Sequence, residues 1–400
     1  MLLTTGLLLA AVPMGVIGDD ETPVRVIVTF KDKVDEKLVK DNGGTVDHKY
    51  TYIPAVVAEL KPSEIKKLEK SDKVAYVEED AVAYAVDDVD DAGKPSKPAP
   101  TQPDQSLPWG VDRIDADQVW PIETRSDNIG SGIDVAIVDT GIDKDHPDLD
   151  ANIGTGVNFV ASKGKVNNGA WDDDNGHGTH CAGIVAAEYN TIGAIGVAPG
   201  ATLHAVKVLN RQGSGSYSAI IAGIEWCIGN GIEVISMSLS GPTDLQALHD
   251  ECDKAQGAGI VLVAAAGNSG SSTPEYPAGY NSVISVGATS SSDARASWSN
   301  YGTSLDLVAP GVSIYSTYKG DTYATMSGTS MACPHVAGTA ALVLASGRAA
   351  SYGDEDGTWD AGEVQECLEK TADDLGTAGP DIYFGHGLVD AGEAATGIEG

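Results

Sequence analysis

Three short patterns carry groups that together can cleave an acyl bond. Val138-Asp139-Thr140-Gly141-Ile142 supplies a carboxylate, Asn175-Gly176-His177-Gly178-Thr179-His180 an imidazole, and Gly328-Thr329-Ser330-Met331-Ala332 a hydroxyl. A serine hydroxyl is a weak nucleophile at neutral pH. It needs an imidazole to take its proton and a buried carboxylate to hold that imidazole in the right tautomer. Singly each pattern is ordinary: an Asp at a strand end is commonly a cap, a His between glycines a structural hydrogen-bonding group, and Gly-Thr-Ser a turn. Jointly, in the order Asp139, His177, Ser330 and each in a fitting strand or helix context, they predict nucleophilic acyl transfer at Ser330.

Such groups must be held by rigid elements. Beyond residue 109, short β-branched runs at 135–138, 205–208, 234–237, 259–264 and 283–286 alternate with helical stretches. Continuous apolar strands of this kind belong to a sheet covered on both faces. The predicted fold is therefore α/β with a doubly wound parallel sheet, in which reactive groups gather at the carboxyl ends of the strands.

The stretch 22–86 reads as a separate, small α+β unit. It offers a strand at 24–30, a helix at 34–40, an extended run at 52–60, a helix at 63–70 behind Pro62 and a last strand at 74–77. Residues 87–104, rich in Asp, Pro, Lys, Ser and Gly, read as a linker, and their composition fits a processing site and a plain tether equally. Residues 1–18 read as the apolar region of an export signal whose charged start is missing. The region 105–400 is then the expected catalytic domain.

Acidic residues outnumber basic ones 58 to 25, for a formal charge of -33. Phosphates would be repelled, so nucleic acid and anionic lipid are not expected partners. The excess is also the pattern expected of a protein adapted to high salt, where screening removes self-repulsion. Carboxylates are hard oxygen ligands, so Ca²⁺ is the cation to expect. The five cysteines, Cys181, Cys227, Cys252, Cys333 and Cys367, show no CxxC spacing. Cys227 and Cys252, on consecutive predicted helices, are the pair to test for a disulfide.

Over nearly all of 105–392 the sequence resembles the subtilisin-like serine proteases, in particular halophilic archaeal members. The resemblance implies a secreted serine endopeptidase made as a self-processing zymogen. Asp139 would orient the imidazole, His177 would act as base and then acid, and Ser330 would attack the scissile carbonyl. Asn268, in Ala264-Ala265-Ala266-Gly267-Asn268, would donate to the oxyanion. Gly213, Ser214 and Gly215, with Ser238, Leu239 and Ser240, match the two edges between which substrate lies as a strand; Ala265 and Glu275 fall at the primary pocket. Main-chain pairing suits broad specificity. A carboxylate at Glu275, where relatives carry glycine, would favour Lys or Arg beside the cleaved bond if it faces the pocket rather than solvent.

The resemblance also implies a calcium site of Gln105, Asp148 and Asn190 side-chain oxygens with carbonyls of Glu188, Ile192 and Ala194. Asp306 is a weaker candidate. Asp172-Asp173-Asp174 reads as a solvated acidic run. The unit 22–86 resembles a ferredoxin-like inhibitory pro-segment whose tail occupies the cleft, with cleavage between Ala83 and Lys94. Expected partners are polypeptide substrates and this pro-segment, with no nucleic acid, no stable membrane association and a monomeric state. A maturation protease of narrow specificity and a catalytically silent binding protein are the rival readings.

Overall fold

The computed structural model describes residues 21–86, 102–120, 128–160, 169–348 and 357–397. The stretch 1–18 and most of the linker 87–104 lie outside the described residues.

Period-two alternation builds the N-terminal unit. In chain order it contains β1 (Val24–Phe30), α1 (Glu36–Asp41), β2 (Thr45–Lys49), β3 (Ala55–Leu60), α2 (Pro62–Leu68), β4 (Val74–Glu79) and β5 (Val82–Ala85). Four strands pair antiparallel in the order β2-β3-β1-β4. One face, with Val26, Val28, Phe30, Val56, Ala58 and Leu60, packs with Val39 of α1 and Leu68 of α2. Side chains one residue out of phase, Ile27, Ala55 and Val57, point the other way and join the core of the larger unit. The sequence reading missed β2, whose Thr45–Lys49 run is mixed in polarity and partly exposed, and β5, which pairs outside its own unit.

The larger unit begins with α3 (Trp109–Arg113), β6 (Asp134–Asp139), β7 (Ile153–Asn158), α4 (His177–Ala186) and β8 (Thr202–Lys207). It continues through β9 (Ser214–Ser216), α5 (Tyr217–Asn230), β10 (Val234–Met237), β11 (Leu239–Ser240), α6 (Gln246–Gly257), β12 (Val261–Ala265), β13 (Ile284–Thr289) and β14 (Leu307–Pro310). The hairpin β15 (Ile314–Tyr318) and β16 (Thr322–Met326) precedes α7 (Thr329–Ala345), α8 (Ala361–Lys370) and α9 (Ala391–Thr396).

Seven strands form a parallel sheet in the order β14-β13-β12-β10-β6-β8-β7. On one face lie α4 and α7, apolar almost all round because both are buried in the core. The opposite face is covered by α5 and α6, and the N-terminal unit packs onto these two helices. The expected doubly wound α/β sheet, preceded by a ferredoxin-like α+β unit, is the architecture observed.

Two carboxylates of the N-terminal unit meet those helices end-on. Asp80 Oδ1 accepts from Ser218 N–H at 2.9 Å, and Glu78 accepts from Gln246 and Ala247 N–H at 2.8 and 3.1 Å. Anions at helix N-termini satisfy otherwise orphaned donors and complement the dipole.

Candidate active site

Asp139 is the last residue of β6 and is fully buried. His177 opens α4 directly after Gly176, whose φ of 119° and closeness to the Tyr318 ring leave no room for a side chain. A Cβ on Gly178 would lie 2.2 Å from the Gly141 carbonyl oxygen, so glycine there lets the helix start against the Asp139 turn. As a result His177 Nδ1 lies 2.8 Å from both Asp139 oxygens. With Asp139 ionised, this fixes the tautomer with the proton on Nδ1 and leaves Nε2 as the basic nitrogen.

Ser330 stands in the first turn of α7, and its backbone carbonyl is reached by Cys181 Sγ of α4 at 3.5 Å. Ser238 Oγ donates to that carbonyl at 2.8 Å, and Ser330 Oγ donates to the Ser238 carbonyl at 3.0 Å. Asn268 is oriented by Thr329, whose N–H and Oγ1–H donate to Asn268 Oδ1 at 3.0 and 2.9 Å. Its Nδ2 therefore points away from Thr329, and donates to the carbonyl oxygen of Val86 at 3.1 Å.

Val86 ends a segment that lies in a cleft. β5 runs antiparallel between β11 and β9, pairing Ala85 with Leu239, Tyr84 with Ser240 and Ser214, and Ala83 with Gly215. Ala85 N–H donates to the Gly213 carbonyl at 2.7 Å, and Val86 N–H to the Ser238 carbonyl at 3.3 Å. Ala83 is buried while Val82 and Tyr84 are exposed, the alternation of a strand that meets a surface on one side. Ala265 is buried at the carboxyl end of β12.

The profile of the Subtilase family matches residues 130–387, and that of Peptidase inhibitor I9 matches residues 22–85. The chain belongs to the subtilase family. This subtilase is 43% identical over 389 residues to Subtilisin NAT of Bacillus subtilis subsp. natto, covering 94% of this chain and 92% of that one. To Subtilisin of Bacillus pumilus it is 48% identical over 295 residues, 73% of this chain and 99% of the relative. To Alkaline protease of Alkalihalobacillus alcalophilus it is 42% identical over 349 residues, 87% and 81% of the two chains. It is a serine endopeptidase with an I9 pro-segment.

Other predicted residues of the subtilase fall as follows. Gln105 Nε2 donates to the Glu188 and Ala194 carbonyls and to Asn190 Oδ1 at 2.7, 3.0 and 3.3 Å. Asp148 is buried beside them, accepting from Asn190 Nδ2 at 2.8 Å and Ala194 N–H at 2.9 Å, and burial pushes its carboxyl up to about 7. Ile192 contributes its N–H to Asn190 Oδ1 at 2.7 Å. The set thus converges around one loop. Asp306 accepts from Ser285 N–H at 2.8 Å. Glu275 is turned inward: its carboxylate accepts from Ser240 Oγ at 2.5 Å, and its Cδ is close enough to Gly267 to crowd a Cβ there.

Two expectations are corrected. Asp173 is buried and not part of a solvated run, because donors from the first turn of α4 close over it; its neighbour Asp174 pairs with the buried Lys207 at 2.7 Å. Cys227 and Cys252 are free thiols buried in the core, as are Cys181, Cys333 and Cys367. Burial pushes the thiol pKa values of Cys227, Cys252 and Cys333 upward, away from the reactive thiolate.

Proposed function

We propose that the enzyme hydrolyses peptide bonds through an acyl-enzyme on Ser330, and that its first substrate is its own pro-segment. One observation carries this reading: β5 is bound as a strand, with the Val86 carbonyl on the Asn268 amide, where a scissile carbonyl would sit. Ser330 Oγ attacks the carbonyl carbon as His177 Nε2 takes its proton. Asp139 holds the imidazole and stabilises the imidazolium, and Asn268 Nδ2 with the Ser330 N–H receives the developing oxyanion. His177 then returns the proton to the leaving amine, and water releases the acyl group by the reverse route.

The bond cleaved in maturation is then Val86–Asp87, at the boundary between the pro-segment at 22–86 and the linker at 87–104, in a chain that also carries a leader at 1–18 and a catalytic domain at 105–400. Labelling with a serine-directed fluorophosphonate tests the reading. Modification mapped to Ser330 supports it, and an unlabelled processed enzyme contradicts it.

Gly213, Ser214, Gly215, Ser238, Leu239 and Ser240 bind substrate by main-chain pairing, which demands little of sequence and supports broad specificity. A second reading, preference for Lys or Arg beside the cleaved bond, is supported by the inward Glu275 carboxylate against Ser240 and Gly267.

Calcium fits the loop 188–194. The donor set is all oxygen: the buried Asp148 carboxylate, Asn190 Oδ1 and the Glu188 and Ala194 carbonyls, with Ile192 O and Gln105 Oε1 completing it after an amide flip. Bound there, Ca²⁺ would tie residue 105 and the loop to the body of the domain. We read the enzyme as a secreted monomer. Among the described residues no helix is long and apolar enough to cross a membrane. The charge of -33 supports function at high ionic strength, as in halophilic archaeal enzymes.

A further inference from the structure

Asp173 lies in the loop ahead of α4, and five donors converge on its buried carboxylate. Oδ1 accepts from Thr140 Oγ1, Asn175 N–H and Gly176 N–H, each at 2.9 Å. Oδ2 accepts from Thr179 N–H at 3.0 Å and from Thr179 Oγ1 at 2.6 Å. Each hydroxyl has one proton, so the remaining contacts fix its direction. Thr140 Oγ1 donates to Asp173 and accepts from Gly178 N–H at 2.9 Å; Thr179 Oγ1 donates to Asp173 and accepts from Asp143 N–H at 3.0 Å. All five partners are donors, so only a carboxylate satisfies the set. A carboxamide of the same shape would turn an NH₂ group onto N–H or O–H groups.

The donors come from two places. Thr140 follows Asp139 in the chain, and its own N–H donates to Asp139 Oδ1 at 2.6 Å. Asn175, Gly176 and Thr179 bracket His177. One residue thus spans the two peptide segments whose separation sets the 2.8 Å contact between Asp139 and His177. Lys207 adds a parallel tie, its Nζ donating to the Thr140 carbonyl and pairing with Asp174.

We propose that Asp173 is a positioning residue for the acid–base pair, clamping the Asp139 turn to the first turn of α4 so that His177 stays aligned between Asp139 and Ser330. The inference rests on the reading of those three residues as the reacting groups. Alignment of reacting groups is steeply rewarded, since a displacement of about 1 Å lowers turnover by roughly 100-fold.

Three variants of the mature enzyme test it, with kcat, KM and the acid limb of the pH profile measured well below each melting temperature. Asp173→Asn is expected to lower kcat by about 100-fold with KM little changed. Thr140→Val keeps the charge of Asp173 and its bonds to α4 but cuts its link to the Asp139 turn, together with the bond that the Thr140 hydroxyl accepts from Gly178 N–H. It is expected to lower kcat by about tenfold and to move the acid limb to lower pH, because a misaligned Asp139 stabilises the imidazolium less. Thr140→Ser restores the hydroxyl and both properties.

Asp390→Asn is the control, since it removes a carboxylate that caps α9 through Glu393 N–H, away from the site. It is expected to leave kcat and the acid limb unmoved. If Thr140→Val retains wild-type kcat and acid limb, the inference is overturned, even should Asp173→Asn fail to fold. Fluorophosphonate labelling separates the two levels. An unlabelled wild type sinks the assignment of Ser330, whereas a labelled wild type beside unchanged Thr140→Val sinks only the clamp.

Discussion

The carbonyl oxygen of Val86 lies 3.1 Å from Asn268 Nδ2, while the Val86 N–H donates to the Ser238 carbonyl at 3.3 Å. Residue 86 is therefore gripped on both sides of its α-carbon by groups that the acyl-enzyme reading assigns to substrate recognition and oxyanion stabilisation. Ser238 O also accepts the Ser330 hydroxyl, which brings the nucleophile to the same carbonyl as Val86, the residue after β5.

This placement predicts the processing bond. Intact-mass and N-terminal analysis of the self-matured enzyme is expected to find Asp87 first. On the proposed reading of Glu275 as a pocket residue, Val86→Asp would bring a second carboxylate to that pocket and is expected to slow maturation by at least about tenfold through like-charge repulsion. A mature start elsewhere, with Val86→Asp processed at the normal rate, would contradict the placement.

Stability of the zymogen is predicted to fall with rising pH. Glu251 on α6 is buried with neither carboxylate oxygen hydrogen-bonded, and burial, with the Glu225 charge adding to it, pushes it up to about 8. The folded form keeps a proton that the unfolded chain releases near the ordinary glutamate value. The contribution is therefore complete below that value and is lost as pH climbs through about 8, a change of roughly 3–5 kcal/mol. Asp390, also raised by burial, slopes the same way. The difference between Ser330→Ala and Ser330→Ala with Glu251→Gln isolates Glu251. Denaturation across pH is expected to show the Gln variant gaining on its parent at alkaline pH, and parallel curves would exclude the effect.

Chelation is predicted to lower the melting temperature of the mature enzyme. A site filled at about 1,000 times its dissociation constant adds about 4 kcal/mol. Asp148→Asn is expected to melt at one temperature with or without calcium; a full calcium response in that variant would place the ion elsewhere.

Glu275 sets a specificity test. With paired peptides differing only in Lys or Leu before the cleaved bond, Glu275→Gly is expected to reduce the Lys-to-Leu ratio of kcat/KM by about tenfold, equivalent to 1.4 kcal/mol. An unchanged ratio would leave main-chain pairing as the main source of selectivity.

Much of this site was legible in the sequence, for stated reasons. Asp139, His177 and Ser330 stand at the end of a strand and the starts of two helices, and such contexts are local. The strands β6, β8, β10, β12 and β13 announced themselves by β-branched runs. What escaped depends on partners far along the chain. β5 has only four residues and becomes a strand because β9 and β11 flank it. Asp173 looked like one member of a charged triplet, and its burial follows from donors that only the folded Thr140 turn and α4 supply. Nothing local marks Glu251 as buried, since its burial comes from packing between elements. Cys227 and Cys252 sat on plausible helices, yet spacing in sequence does not set the Cα separation or side-chain direction that a disulfide requires.

The central claim is that the Ser330 hydroxyl is the group that opens the Val86–Asp87 bond. The direct measurement is expression of Ser330→Ala beside wild type, with each chain's mass followed over time in calcium. Wild type is expected to separate into pro-segment and mature enzyme, while Ser330→Ala stays a single uncut chain. A Ser330→Ala chain that still divides after Val86, at the wild-type rate and in the absence of other protease, would contradict the claim.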